Sequence, residues 1–249
     1  MEDNIELVAQ WLRQSTMTVA FTGAGISTES GIPDFRSPGG VWAKYQPVYF
    51  DSFLSDADAR LEYWRQKAEA HTEIARAEAN DAHRVLAKWE ANGHLHGVIS
   101  QNIDGLHQLA GSHRVLELHG TARQVKCLDC GMIYEADQLV DEFRRSGSVP
   151  LCAECGGRLK HATISFGQSL PEEVLSEATA WCEGCQLLLA MGSSLQVTPA
   201  ANLPPLAKQT GARVVIINRD TTALDEMADV VIRGSLARIL VKIDDRMTG

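Results

Sequence analysis

The sequence has no stretch that would place the chain in or across a membrane. Among its 249 residues, no apolar run approaches the roughly 18 residues that a membrane-spanning helix requires. The opening residues MEDNIELVAQWL are acidic, with neither the apolar core of a secretory signal nor the arginines of a transit peptide. We therefore expect a cytoplasmic protein that makes no membrane contact.

The chain also carries no excess of positive charge. The chain carries 23 Lys and Arg against 32 Asp and Glu, which gives a formal net charge of −9. A surface of that sign repels phosphate backbones, so we do not expect direct binding of nucleic acid. A basic partner such as a lysine-rich peptide suits this charge, although many soluble proteins are simply acidic.

The sequence contains no internal repeat and no low-complexity linker, and its length fits one α/β domain with an inserted small module. Short apolar runs without polar alternation predict strands that are buried on both faces. Helical stretches separate these runs, which predicts a Rossmann-like, doubly wound parallel sheet. The predicted strands lie at 17–21, 98–99, 115–118, 187–190, 214–217 and 230–232.

Apolar residues at helical spacing indicate the helices. Ile5, Val8 and Leu12 mark an opening helix, and Ser55 with Asp58 forms a capping-box pattern before a second one. Residues 31–54 lack a clear period and predict a loop or small module. Further helices are predicted from residue 80 or 81 and near 136–145, 171–181, 199–210 and 235–241.

Two Cys-x-x-Cys pairs, Cys127/Cys130 and Cys152/Cys155, have a spacing close to that of a four-cysteine zinc ribbon. Four thiolates complete a tetrahedron and leave no position for water. The predicted site is therefore structural and holds one Zn²⁺ per chain. The alternative, four unrelated cysteines, requires two coincidences.

The third pair, Cys182/Cys185, stands beside an apolar run, and no further pair is left to complete a tetrahedron. Cysteine is often a small buried hydrophobic residue, and we favour that interpretation. A redox or metal-binding role is the alternative.

A glycine turn, GAGIS at 23–27, follows the first predicted strand. Glycines allow the backbone to approach a diphosphate, and a helix N-terminus stabilises its charge. The position of the third glycine of G-x-G-x-x-G is Thr28, however, and no acidic residue marks the end of an obvious second strand. Nucleotide binding and a plain tight turn both remain open from this motif alone.

Polar residues follow two further predicted strands, in QNIDGLH at 101–107 and at His119. Ligands bind at the carboxyl ends of the strands in doubly wound sheets. Amides and carboxylates there can bind a ribose or a carboxamide, and a histidine can act as a base near neutral pH. A structural role is the alternative for either histidine. The histidines without such a context are His83, His94, His96, His113 and His161.

Together these motifs resemble the sirtuin family, and the resemblance runs from about residue 15 to 240. It rests on the order of GAGIS at 23–27, GIPDFR at 31–36, QNIDGLH at 101–107, HG at 119–120, the two cysteine pairs, FGQSLP at 166–171, GSSLQVTPA at 192–200 and IN at 217–218.

The resemblance implies a discontinuous Rossmann-like NAD-binding domain (1–34, 82–120 and 164–249) and a small domain. The small domain would combine a helical module at 35–81 with a zinc-binding module at 121–163. The implied enzyme is a monomeric, bacterial-type, NAD-dependent protein-lysine deacetylase or deacylase that acts on an acylated-lysine protein or peptide. In such a transferase the acyl oxygen attacks C1′ of the nicotinamide ribose, nicotinamide leaves, and the acyl group ends on ADP-ribose.

Residue roles follow from the same resemblance. It implies that His119 is the general base for a ribose hydroxyl, that Asn102 orients the ribose and a water, and that Asp104 holds the nicotinamide carboxamide. Phe166, Gly167 and Val197 would flank the peptide, which pairs as an extra strand. The implied cofactor-binding residues are Gly23, Ala24, Gly25, Ser27, Asp34, Phe35, Arg36, Gln101, Asn102, Ile103, Asp104, Gly192, Ser193, Ser194, Asn218 and Leu236.

The chain departs from the family pattern in the segments that meet the peptide. Gln168 replaces the usual glutamate after Phe-Gly. Relatives that remove acidic acyl groups carry Tyr-x-x-Arg, whereas this chain has Tyr63 followed by Gln66, and helix geometry is expected to direct Lys67 elsewhere. The sequence therefore predicts poor removal of succinyl groups.

Three other functions share these motifs. A mono-ADP-ribosyltransferase would use the same cleft and leave ADP-ribose on protein. A non-catalytic acyl-lysine or ADP-ribose binding module would have no use for a base at His119. A nicotinamide oxidoreductase is disfavoured by the broken glycine motif and by the lack of a second substrate domain.

Overall fold

The computed structural model describes residues 1–34 and 46–248. Its strands, in chain order, are β1 (Thr18–Thr22), β2 (Gly97–Ser100), β3 (Val115–Glu117), β4 (Gly120–Cys127), β5 (Ile133–Glu135), β6 (Leu159–Thr163), β7 (Leu187–Met191), β8 (Arg213–Asn218) and β9 (Val230–Arg233). Its α-helices are α1 (Glu2–Gln14), α2 (Phe50–Ser55), α3 (Ala57–Arg76), α4 (Asp81–Ala91), α5 (Leu106–Leu109), α6 (Ala136–Ser146), α7 (Glu172–Gly184), α8 (Leu203–Gln209) and α9 (Leu236–Thr248).

Six of these strands form one parallel sheet in the order β3-β2-β1-β7-β8-β9. β1, β2 and β7 are buried along their whole length, as the unbroken apolar runs predicted. The chain builds outward from β1 on one side and then crosses back to β7 on the other. The point between β1 and β7 is therefore the topological switch point, where doubly wound sheets bind ligands.

Helices cover both faces of this sheet, and two hydrophobic clusters fill the layers between them. The first cluster joins α1, α4 and α9 to the sheet, through residues such as Ile5, Leu86 and Leu240. The second lies on the opposite face and joins α7 and α8 to it. The predicted Rossmann-like, doubly wound class is confirmed.

A second sheet is small and antiparallel, in the order β5-β4-β6. α3 packs against α6 and β4, and a third cluster joins Phe53 and Trp64 to Val125 and Leu159. The Trp64 indole donates a hydrogen bond to the Leu159 carbonyl at 3.1 Å. The helical segment after residue 46 and the cysteine-bearing segment thus form one packed body.

The predicted capping box at Ser55 and Asp58 is wrong by one residue. Ser55 ends α2, and its hydroxyl donates to the Asp51 carbonyl at 2.8 Å. Asp56, in extended backbone, caps α3 by accepting from the Asp58 amide at 2.9 Å. Ser55 cannot cap α3 because it still belongs to α2 and its hydroxyl is engaged by Asp51, so the first free side-chain oxygen is that of Asp56.

The remaining helix predictions hold, with shifted bounds. The helix expected from residue 80 or 81 is α4, and Asn80 caps it by accepting from the amides of Ala82 and His83. The predicted helix at 199–210 begins with a 3₁₀ turn at Ala200–Asn202, and the last helix runs well beyond residue 241. In the described part of the chain, no helix is both long enough and apolar enough to cross a membrane.

Candidate active site

A cleft of about 840 Å³ opens at the carboxyl edge of the large sheet and continues toward the small one. The loops after β1, β2, β7 and β8 form one end of this cleft, and α3 with the segment after β6 forms the other. The cleft therefore covers the switch point of the sheet and reaches the packed body of the small sheet.

Three glycines bring the loops after β1 and β7 into direct backbone contact. A Cβ at Gly23 or at Gly25 would lie 2.8 Å from the Gly192 carbonyl oxygen. Gly192 itself has φ +61, and a Cβ there would lie 2.5 Å from the Ile26 amide nitrogen. Backbone without side chains thus lines this end of the cleft, which is the surface that a diphosphate needs for close approach. The nucleotide-binding interpretation of the glycine turn gains a structural basis.

A buried polar chain supports the base of the cleft. The Asn102 amide nitrogen Nδ2 donates to the Gly23 carbonyl at 3.2 Å and to the Ser27 hydroxyl at 3.1 Å. The Ser27 hydroxyl donates to Asp104 Oδ2 at 2.7 Å, and Asp104 Oδ1 accepts from the Leu106 amide at 2.9 Å. Because each hydrogen bond fixes the next donor, the Asn102 side chain is held in one orientation. Its amide oxygen takes part in none of these hydrogen bonds.

His119 follows β3 and lines the cleft beside Asn102. Its Nδ1 lies 2.8 Å from the Gln101 carbonyl oxygen, an atom that can only accept, so Nδ1 carries the proton and Nε2 is left as the acceptor. Burial lowers the pKa of His119, and the hydrogen bond to Gln101 opposes that shift. The imidazole is therefore neutral at physiological pH and able to take a proton.

The glycine after His119 is required by the turn between β3 and β4. Gly120 has φ +68, and a Cβ there would lie 1.9 Å from the Ala162 carbonyl oxygen. The His119 carbonyl also accepts from the Ile164 amide at 2.9 Å. These contacts fix His119 where the two sheets meet.

Gln101 links the loops after β2 and β7. Its Nε2 donates to the Ser193 hydroxyl at 2.9 Å, and that hydroxyl accepts from the Leu195 amide at 3.2 Å. Ser194 and Asn218 line the same end of the cleft, as does Leu236 from α9.

The other end of the cleft carries exposed aromatic side chains. Phe166 is 42% exposed, and its ring centroid lies 5.9 Å from that of Tyr49. The Phe166 carbonyl accepts from the Phe50 amide at 2.9 Å, and Gly167 follows with φ +83. Val197 lines the opposite side. A cleft wall with an exposed aromatic side chain suits an extended peptide.

Most of the residues that the sequence singled out are brought together here. Ser27 and Asp104 are exceptions, because they lie buried behind the wall of the cleft and act on it through Asn102. Phe35 and Arg36 fall outside the described residues. The predicted residues on the wall are Gly23, Ala24, Gly25, Asp34, Gln101, Asn102, Ile103, His119, Phe166, Gly167, Gly192, Ser193, Ser194, Val197, Asn218 and Leu236.

Sequence reasoning missed several groups of lining residues, among them the α3 face of the cleft and two groups at the edge of the large sheet. Thr28 and Glu29 continue the glycine turn into a 3₁₀ helix, and residues 219–221 follow Asn218 at the carboxyl end of β8. The second group was detectable, because β8 lies next to β7 at the switch point and its carboxyl end reaches the same edge.

The four cysteines of the first two pairs form a cluster beside the small sheet, with sulfur atoms all within 4.8 Å of one another. Cys127 and Cys155 Sγ are 3.6 Å apart, and so are Cys130 and Cys152 Sγ. Zn–S bonds of about 2.3 Å in a tetrahedron place sulfurs about 3.8 Å apart, so these thiolates fit one Zn²⁺ with no position left open. The ion would be structural, since it offers no site to a substrate.

Cys182 and Cys185 lie in the second hydrophobic cluster, whereas Cys127 and Cys152 lie in the third. Burial raises the pKa of Cys182 to about 12 and that of Cys185 to about 11. Such thiols stay protonated, which supports the interpretation of buried hydrophobic residues.

The fold and the cleft define a class: an α/β protein of the Rossmann type with a nucleotide-sized cleft at its switch point and a four-cysteine module beside it. Comparison with known proteins narrows this class. Residues 23–199 match the Sir2 family. A protein of Rhodopseudomonas palustris named NAD-dependent protein deacetylase is 45% identical over 242 residues, which cover 96% of either chain.

Two solved structures give the same result. A Sir2 enzyme with a p53 peptide and NAD⁺ is 35% identical, with a TM-score of 0.89 and 97% of both chains covered. A Sir2 variant with a deacetylated p53 peptide and 3′-O-acetyl ADP-ribose is 36% identical, with a TM-score of 0.91 and the same coverage. The chain belongs to the Sir2 family, and the resemblance to sirtuins is confirmed.

Proposed function

We propose that this chain is an NAD-dependent protein-lysine deacylase that transfers the acyl group of a modified lysine to ADP-ribose and releases nicotinamide. The observation that carries this function is the position of His119. His119 lines a cleft whose one end is bare glycine backbone, which would hold a diphosphate, and whose other end carries Phe166, where a peptide would bind. Its Nε2 is the ring nitrogen left to accept a proton. A base at the junction of two binding regions suits a reaction between two substrates.

NAD supplies a glycosidic bond to nicotinamide, whose cleavage makes the ribose carbon electrophilic. The loop after β1 and Gly192 would hold the diphosphate, and Gln101, Ser193, Ser194 and Asn218 would hold the adenosine half. His119 would accept a proton from a ribose hydroxyl at Nε2, since Nδ1 is engaged by Gln101. Asn102, fixed by Gly23 and Ser27, would orient the ribose and a water.

Asp104 would act on nicotinamide recognition together with Ile103. Ile103 lines the cleft, while the Asp104 carboxylate is tied to Ser27 behind it. The Ile103 carbonyl is engaged by the Ala122 amide at 2.8 Å, which fixes the backbone of this loop. Asp104 therefore sets the shape of the pocket through its bonded neighbours.

We further propose that residues 1–34, 82–120 and 164–249 form the NAD-binding domain and that 35–81 and 121–163 form the small domain. The first two hydrophobic clusters draw their buried members from the former ranges, and the third draws its members from the latter.

The four cysteines would bind the structural zinc of this small domain, which requires a reducing compartment such as the cytoplasm. A monomer that binds neither nucleic acid nor membranes fits the net charge of −9.

The test is to incubate the purified protein with an acetyl-lysine peptide, with and without NAD, and to identify products by mass spectrometry. We expect loss of the acetyl group only with NAD, together with acetyl-ADP-ribose and nicotinamide. Label from NAD that appears on protein instead would establish an ADP-ribosyltransferase. Failure to cleave acetyl, propionyl or succinyl peptides would refute the proposed function.

A further inference from the structure

The loop after β2 lines the cleft with Gln101, Asn102 and Ile103 and then turns into α5. The side chains of Gln101 and Asn102 are held by residues that follow β1 and β7 of the large sheet. The backbone carbonyls of Ile103 and Asp104, by contrast, accept hydrogen bonds from residues of β4 in the small sheet. The position of this loop therefore depends on both sheets.

Arg123 on β4 makes the contact with Asp104. Its Nε donates to the Asp104 carbonyl oxygen at 2.6 Å, a short hydrogen bond from a charged donor. The Ala122 amide donates to the Ile103 carbonyl at 2.8 Å. Two consecutive residues of the loop are thus bound by two consecutive residues of β4.

The same guanidinium also reaches α3. Its Nη2 donates to the Ile74 carbonyl, in the last turn of that helix, at 3.3 Å. α3 lines the cleft as far as Ala70, one turn before Ile74, and the lining includes Lys67, so the expectation that helix geometry directs Lys67 elsewhere is wrong. Because the planar guanidinium is bound at two of its nitrogens, its direction is fixed.

The glycine that follows Asp104 packs directly on this side chain. Gly105 has φ +69, and a Cβ there would lie 2.7 Å from Arg123 Nε and 2.9 Å from its Cδ. Only glycine combines this backbone conformation with so close a contact. A single methyl group at Gly105 would therefore displace the guanidinium.

Arg123 also brings positive charge to two carboxylates behind the cleft. The side chain is half-buried and forms no ion pair in the described part of the chain, so carbonyl oxygens are its hydrogen-bond partners. Burial raises the pKa of Glu117 to about 7, the hydrogen bond with Gln108 and the charge of Arg123 oppose that shift, and the charge of Asp104 adds to it. Loss of Arg123 would remove a cation that offsets the repulsion between Asp104 and Glu117.

We propose that Arg123 is a positioning residue for NAD: by binding the carbonyls of Asp104 and Ile74 together, it holds the loop after β2 in the conformation that receives the nicotinamide end. This inference rests on the proposed deacylase function, in which Ile103 and Asp104 shape the nicotinamide pocket. Arg123 does not line the cleft. It acts through the fraction of loop conformations that can bind, and the apparent affinity falls in proportion to that fraction.

The first measurement is amide hydrogen exchange of the ligand-free protein, which does not depend on activity. Arg123→Met removes the charge and the planar fork, and Arg123→Lys keeps the charge alone. We expect faster exchange at residues 101–106 in Arg123→Met and an intermediate rate in Arg123→Lys. Lys126→Met is the control, because Lys126 is exposed on the same strand, and it should exchange like the wild type.

The second measurement compares two ligands by calorimetry. NAD and ADP-ribose share the diphosphate and the adenosine half, but ADP-ribose lacks nicotinamide. Arg123→Met should raise the Kd of NAD by roughly tenfold, the effect of losing a hydrogen bond from a charged group, and the Kd of ADP-ribose by less than about twofold. In initial rates the KM for NAD should rise likewise, while the KM for acetyl peptide stays within about twofold.

A double variant tests the contact between Arg123 and Gly105. Gly105→Ala should weaken NAD binding, because its methyl group displaces the guanidinium. In an Arg123→Ala background the same methyl group meets no guanidinium, so its further effect should shrink to the strain of an alanine at φ +69. Fully additive effects on the Kd of NAD would overturn the inference.

Two other results would also contradict the role of Arg123. One is wild-type exchange at 101–106 together with a wild-type Kd for NAD in Arg123→Met. The other is equal weakening of NAD and ADP-ribose with a lower Tm, which a merely structural residue would give. Turnover by the wild-type protein decides the proposed function separately: if no acyl peptide is cleaved, the deacylase function fails, whatever the variants show in binding.

Discussion

Replacing Ser27 by alanine tests whether the buried polar chain behind the cleft positions Asn102. The Ser27 hydroxyl is 1% exposed and bridges two buried groups, Asn102 at 3.1 Å and Asp104 at 2.7 Å. Alanine removes both bonds without adding bulk. Each partner keeps one other bond, to the Gly23 carbonyl and to the Leu106 amide respectively.

The expected magnitude follows from the two groups left unsatisfied. A buried donor or acceptor without a partner costs about 1–3 kcal/mol, and two partly satisfied groups should cost roughly 2–4 kcal/mol together. For a chain of this size, each kcal/mol lowers Tm by about 2–4 °C, so Tm should fall by roughly 4–16 °C. The KM for NAD should rise, because the Asn102 amide loses one of its two anchors.

The assay combines thermal unfolding with initial rates at varied NAD and saturating acetyl peptide. Ser176→Ala is the control, since Ser176 is exposed on α7 and should change stability by no more than about 0.5 kcal/mol. The double variant Ser27→Ala with Asp104→Asn should be less damaged than the two single effects combined predict, because both act on one chain of bonds. A single variant with the Tm and KM of the control would refute the reasoning.

Further predictions concern the base, the cradle and the cysteines. His119→Ala should lower kcat/KM by about 10²–10⁴. In the wild type, activity should fall as pH drops through a pKa below 6.5, because burial lowers the pKa of His119 and the neutral form is the base; an acid limb above 6.5 would contradict this assignment. Gly192→Ala should raise the KM for NAD and lower Tm, since its Cβ would lie 2.5 Å from the Ile26 amide nitrogen, and an unchanged KM would mean that this contact does not shape the cradle. Cys127→Ser should lower both the zinc content, measured by elemental analysis, and Tm, whereas Cys182→Ser should keep the zinc; equal metal loss in both would refute the assignment.

The sheet was predictable because its strands are apolar on both faces. Runs such as 187–190 and 214–217 have no polar alternation, which is typical of strands in a parallel sheet covered on both faces. The motifs that follow those strands therefore lie together at the carboxyl edge of the sheet. The hydrogen-bonded chain through Ser27 was harder to predict, because the sequence does not show which buried group a serine in a glycine turn will bond.

The position of α3 along the cleft could not be predicted from the sequence, for a different reason. Tyr63 and Lys67 share a helix face under any helical prediction, but which face meets the cleft depends on how α3 packs on β6 and α6. Trp64, fully buried and bonded to the Leu159 carbonyl, fixes that rotation. Contacts of such long sequence separation leave no local pattern that reasoning from spacing can detect.

The hydrogen bond from Trp64 to Leu159 joins residues 95 positions apart. β1 cannot pair with β7 until the whole cysteine module, which lies between them in the sequence, has been made. Such pairing carries a large loop-closure entropy and makes folding slow and non-local. During synthesis, α3 emerges long before the strand on which it rests, so its apolar face stays uncovered until the cysteine segment has been made. A shortage of zinc during translation would therefore lower not only the occupancy of the cysteine cluster but also the yield of chains in which α3, a helix that lines the cleft, has docked.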